Sequence, residues 1–174
     1  MGFRSTMSLS DLSTMSAGRA LAAIDHVCCA DVDELARVAG RPLRWQADRL
    51  AFCAWASSVL GGVVSIQRAQ EDVLWPALRR ADGPDVQLGA LAADHRKLRI
   101  AAARVTELLG AATSRQAVAH HHLRLAAGAR NLHMLLIGHL QDEAPVLLER
   151  FNALDASQRV VVLRELVDAL RCPS

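Results

Sequence analysis

The feature that most narrows the fold of this chain is an internal repeat of polar residues at helical spacing. His26 is followed 41 residues later by Gln67 and then by Glu71. His95 is followed 44 residues later by His139 and then by Glu143. Within each copy the last two positions are four apart, which places them on one face of a helix a turn from each other. Two such half-sites can meet only where long helices lie side by side. The repeat therefore predicts an all-α bundle enclosing a His/Glu centre. One position breaks the symmetry: Gln67 stands where the second copy has a histidine.

The punctuation of the chain agrees with that architecture. A first helix is expected from about Ser16 to Val38, stopped by Gly40 with Pro42 just beyond. A second runs from about Leu43 to Arg80 and contains Gly61-Gly62, a pair that marks a bend or a close helix contact. Asp82-Gly83-Pro84-Asp85 is a turn that also separates the two copies. A third helix follows to Leu109, and Thr113 with Gln116 forms a capping-box pattern opening a fourth that reaches Phe151. Asp155 with Gln158 opens a fifth, Ala156 to Arg171, with Val160, Leu163, Val167 and Leu170 as its apolar stripe. Short connections favour an up-down-up-down four-helix bundle over residues 16–152. Residues 1–15 read as a loose tail, and residues 153–174 as an extra helix on the outside.

Composition excludes several classes. With 174 residues, 52% of them hydrophobic, the chain forms one domain with a sizeable core. Twenty basic and 18 acidic residues, well dispersed, leave a net charge of +2 and no basic patch to argue for nucleic acid. Cys28, Cys29, Cys53 and Cys172 show neither a CxxC nor a framework spacing, so free thiols in a reducing cytoplasm are expected. The N-terminal residues lack the pattern of a signal peptide, and the richest uninterrupted apolar run, Met134 to Ile137, is far short of a membrane span. The expectation is a cytoplasmic protein, monomer or homodimer, without membrane attachment.

Imidazoles and carboxylates in this pattern suit iron or manganese in nitrogen and oxygen coordination. Under the repeat, Glu71 and Glu143 are the candidate bridges between two metals. His95 and His139 are terminal ligands on one, and His26 is the terminal ligand on the other. Gln67, a neutral donor, either ligates weakly or hydrogen-bonds a water or an exogenous ligand. Three outcomes follow: an asymmetric pair with an open position, a single metal at His95 and His139 with the two glutamates, or a relic site in a binding module.

Further residues carry the resemblance. Gln70-Glu71-Asp72-Val73-Leu74-Trp75-Pro76-Ala77-Leu78, Ala93-Asp94-His95 and Gly138-His139-Leu140-Gln141-Asp142-Glu143 are similar to the helix motifs of the hemerythrin-like HHE cation-binding family, particularly its short actinobacterial-type members. The similarity covers about residues 18–152, with His26 where the family's first helix supplies a histidine. It implies a four-helix bundle around a carboxylate-bridged di-iron centre that binds or responds to dioxygen, peroxide or nitric oxide. Iron is the implied metal, as a pair or a single ion, ahead of manganese or zinc. Gln67-Arg68 replaces the usual His-His, Glu143-Ala144 the usual Glu-Glu, and Arg99 is no histidine substitute. The open position favours chemistry or sensing over oxygen carriage. The alternatives are a metal-poor bundle that binds a small molecule or a protein partner, and a di-iron oxidative enzyme acting on a small-molecule substrate in a biosynthetic pathway.

The remaining histidines and thiols read as structural. His121 shares a helical phase with His139 but lies roughly 27 Å along the axis from it, so His120-His121-His122 reads as a solvated patch. His133 is off the His139 face, and Cys29 and Cys53 read as buried, inert thiols.

Overall fold

The computed structural model of the chain describes residues 17–41, 46–82, 86–112 and 121–171. These residues form helices α1 (Ala17–Ala39), α2 (Gln46–Ala69), α3 (Trp75–Asp82), α4 (Val86–Ala112), α5 (His121–Ala153) and α6 (Ala156–Arg171). One π-helical turn, Gln70–Leu74, joins α2 to α3 without interrupting the rod. Among the described residues there is no strand, and the all-α expectation holds. The Thr113–Gln116 pattern falls outside the described residues.

Helix packing follows a closed order: α1 lies against α5, α5 against α4, α4 against α2, and α2 against α1. The apolar side chains between them form two clusters. The larger contains Val32 and Leu35 of α1, Val59 and Val63 of α2, Leu98 and Val105 of α4, and Leu132 and Leu136 of α5. The smaller holds Leu74, Trp75 and Leu78 of the π turn and α3, Leu88 and Leu91 of α4, Leu147 and Phe151 of α5, and Val162 and Leu166 of α6. Along α2 the chain passes from the larger cluster to the smaller. It returns along α4 and passes again along α5, so α4 runs opposite to α2 and to α5. Each crossing carries the polar residues of the site through the seam between the clusters: Gln67 on α2, His95 on α4, His139 and Glu143 on α5.

Local details settle several expectations. Asp155 and Gln158 form the reciprocal capping box, each backbone N–H donating to the other's side chain at 3.0 and 2.8 Å. The buried stripe of α6 is Val162 and Leu166, flanked by Leu163, Ala169 and Leu170, while Val160 is exposed. The Val160–Leu163 run is apolar on every side, so several helical phases fit it. Docking on the π turn and α2 selects the one observed. Gly61 and Gly62 are exposed, and a Cβ at either would meet nothing, so they mark no close contact. The close approach is at Gly128, where a Cβ would lie 3.3 Å from Leu108 Cδ1.

One helix corrects the expectation about apolar length. Asp48–Arg80 has a mean hydropathy of 1.5 over its richest window, long and apolar enough by composition to cross a membrane. Counting unbroken runs missed it because Ser, Gly and Gln interrupt a stretch rich in Ala, Val and Leu. In this fold it packs against α1 and α4, and it carries the buried Gln67 and Gln70.

Candidate metal centre

Where the two clusters meet, five polar side chains are buried: Gln67, Gln70, His95, His139 and Glu143. Among the described residues His95, His139 and Glu143 form the one group of three potential ligands, with donor atoms all within 4.8 Å of one another. His95 Nε2 is 3.0 Å from His139 Nε2, which in turn is 3.3 Å from Glu143 Oε2. Two nitrogens each about 2.1 Å from one ion and at right angles lie about 3.0 Å apart, so this spacing fits a shared cation. The donor set fits too. Glu143 is 1% exposed, and its Oε1 has no partner within the protein. A buried carboxylate left in that state is costly unless a positive charge faces it.

Each ligand is held by neighbours. The Glu71 carboxylate lies 2.9 Å from His95 Nδ1 and accepts its proton, which leaves Nε2 with a lone pair facing His139. Arg99 donates to the same Glu71 oxygen at 2.7 Å and balances its charge. Trp75 stacks on the His95 ring, centroids 4.5 Å apart and planes 23° off parallel. Gln70 Nε2 donates to Glu143 Oε2 at 3.2 Å. His139 has no such support, for its Nδ1 makes no hydrogen bond.

Electrostatics follow from this arrangement. Burial pushes the His95 pKa down, and the neighbouring His139 adds to the effect against the opposing pull of Glu143 and Glu71. His95 is therefore held neutral, the state a metal requires. Burial pushes the Glu71 carboxyl up, but hydrogen bonds from Arg99 and His95 outweigh it and hold the pKa below its ordinary value.

The sequence-predicted residues divide. His95, His139 and Glu143 come together. Glu71 does not bridge from the same side. It binds the far nitrogen of His95 and is half-buried at the rim. A π turn spans Gln70–Leu74, and at its first residue Gln70 reaches Glu143 Oε2. His26 does not join the group either. The buried stripe of α1 is Val32, Leu35, Ala36 and Ala39, and at 100° per residue His26 falls about 120° from its centre and is exposed. Gln67 is 3% exposed, and neither of its amide atoms has a partner. It lines a cavity with Cys28, Val63, Ile66, Gln70, Leu136, His139, Leu140 and Glu143.

Three contributors were missed from sequence. Gln70 was signalled by its spacing of three from Gln67, and Arg99 by its spacing of four from His95. Trp75 belongs to the Gln70–Leu78 motif, which signalled the residue but not its stacking on His95. Outside the centre, His121 Nε2 donates to the Leu108 carbonyl at 2.6 Å and is half-buried, so it ties α5 to the end of α4 instead of facing solvent. His133 lies 3.6 Å from the exposed Asp33. Cys28, Cys29 and Cys53 are half-buried.

In comparisons with known proteins, no family model, no curated protein and no solved structure matches the chain.

Proposed function

We propose that this chain is a hemerythrin-like four-helix bundle that holds one iron ion at His95, His139 and Glu143, and reacts with a small oxidant: dioxygen, peroxide or nitric oxide. The observation that carries this reading is the buried group of three donors, with its opposed imidazole nitrogens 3.0 Å apart. Two histidines and one carboxylate are the donor set of non-haem ferrous sites that keep positions open for an exogenous ligand. Iron bound there supplies one-electron chemistry and a Lewis-acid centre.

The protein's own groups do the rest. Glu71 keeps the proton of His95 on Nδ1 and so aims Nε2 at the ion. Arg99 keeps Glu71 ionised, and Gln70 fixes one oxygen of Glu143. Trp75 and the apolar clusters above and below the seam exclude bulk water. The half of the repeat that should hold a second metal offers Gln67 and an exposed His26, so a single ion is favoured over a pair.

His139→Ala and Glu143→Gln should each remove most of the iron retained after anaerobic loading and desalting, measured by mass spectrometry. Both variants should keep parental helix content by circular dichroism. Iron retention equal to the parent in both variants refutes the site as drawn.

A further inference from the structure

We infer that the cavity beside the triad is a binding site for a compact ligand bearing an O–H group, of the water or hydrogen peroxide class, and that Gln67 selects it. This inference rests on the single-metal reading above and concerns the ligand that reading leaves unnamed.

Gln67 is 97% removed from solvent, yet its Nε2 donor and Oε1 acceptor are both without a partner in the protein. A buried donor or acceptor left unmade is costly, so a buried amide with both ends vacant calls for a ligand that satisfies both. The same cavity is walled by His139 and Glu143, and Glu143 Oε1 is a further acceptor without a partner. Its remaining walls are apolar or neutral: Val63, Ile66, Leu136, Leu140, Cys28 and Gln70. Gln70 is already committed to Glu143 Oε2. The unpartnered polar atoms of the residues around this space are thus Gln67 Nε2, Gln67 Oε1, Glu143 Oε1 and His139 Nδ1, and two of these residues are metal-ligand candidates.

Water and hydrogen peroxide both accept from an amide N–H and donate to an oxygen. Dioxygen and nitric oxide carry no proton and can use only the donor. The position filled by Gln67 therefore discriminates between oxidants on whether they bring a hydrogen. A charged residue in its place would set the net charge of the site instead, and an apolar one would leave the choice to size.

The test uses zinc, which has no redox chemistry, and water as the probe. Crystal structures of the zinc-loaded parent and of zinc-loaded Gln67→Met are compared. Methionine matches glutamine in length and lacks strong hydrogen-bonding groups. The expected result is an ordered oxygen within hydrogen-bond distance of the Gln67 amide in the parent, lost in the variant while zinc remains. A dry cavity in the parent, or the same oxygen in Gln67→Met, overturns the inference.

A solution measurement stands if the variant fails to fold. Hydrogen peroxide, which both accepts and donates, is titrated into the zinc-loaded parent while the side-chain amide resonance of Gln67 is followed by nitrogen-15 NMR. A saturable shift of that resonance supports the site, and its absence overturns it. Where Gln67→Met folds, its peroxide affinity should be about tenfold lower, the loss expected for the hydrogen bonds of the amide. Zinc missing from His95, His139 and Glu143 in the parent would refute the single-metal reading and this inference with it. Zinc present beside a dry cavity refutes this inference alone.

Discussion

The chemistry of the site turns on which nitrogen of His95 carries its proton. Glu71 and His139 lie on opposite sides of the ring, so the carboxylate takes the Nδ1 proton without competing for Nε2. Glu71→Gln keeps the shape, and its amide can still accept that proton but no longer compensates a cation. We expect it to weaken metal affinity about tenfold, the lower end for groups that orient metal ligands, with the thermal midpoint of the metal-free protein little changed. Competition titration with a chromophoric chelator measures this, and parental affinity would show that Glu71 serves only Arg99. The burial of His95, His139 and Glu143 was legible because they keep helical phase with the core leucines around them. His26 was not readable as an outsider from its spacing alone. Its position matched the repeat, but its phase against Val32 and Leu35 did not.

At the scale of elements, the π turn is what the sequence hid. Gln67 and Glu71 obey the same spacing as His139 and Glu143, and periodicity assigns both pairs to one face. In the structure Gln70 reaches Glu143 and Glu71 sits at the rim, where the helix takes a π turn over Gln70–Leu74. Nothing in the residue types announces it, since π turns depend on what the neighbouring helices accept. Helix ends with side-chain signals were easier, as the Asp155–Gln158 box shows. Asp155→Ala should lower the thermal midpoint by roughly 2–4 °C through loss of that cap, measured by calorimetry. Gly61→Ala and Gly62→Ala should act the other way. Both positions are helical, exposed and open to a Cβ, so each substitution should stabilise by about 0.5–1 kcal/mol in urea denaturation.

At the scale of the whole molecule, the helical class was legible because four stop signals divide a long apolar-periodic chain. The seam between the two apolar clusters was not, because it depends on which helices become neighbours. That seam places a neutral histidine in the interior and makes folding sensitive to acid. The His95 pKa is held below its ordinary value of 6.5, so near and below that pH the unfolded chain binds a proton that the folded protein refuses. This contribution is complete above pH 6.5 and is lost as the pH falls towards the folded value. Glu71 acts in the same sense at lower pH, below its ordinary 4.5. The urea midpoint of the metal-free protein should therefore fall between pH 7.5 and 5.5, and a flat profile would contradict the buried neutral imidazole.

The most direct test of the central claim is the stoichiometry of iron retained by the parent chain after anaerobic ferrous loading and desalting, read by mass spectrometry. One iron per chain, lost in His139→Ala, is the result predicted from the buried His95, His139 and Glu143 group. Two irons per chain would restore the dinuclear site and a ligand role for Glu71. None would show that the three donors form a hydrogen-bonded core without a metal.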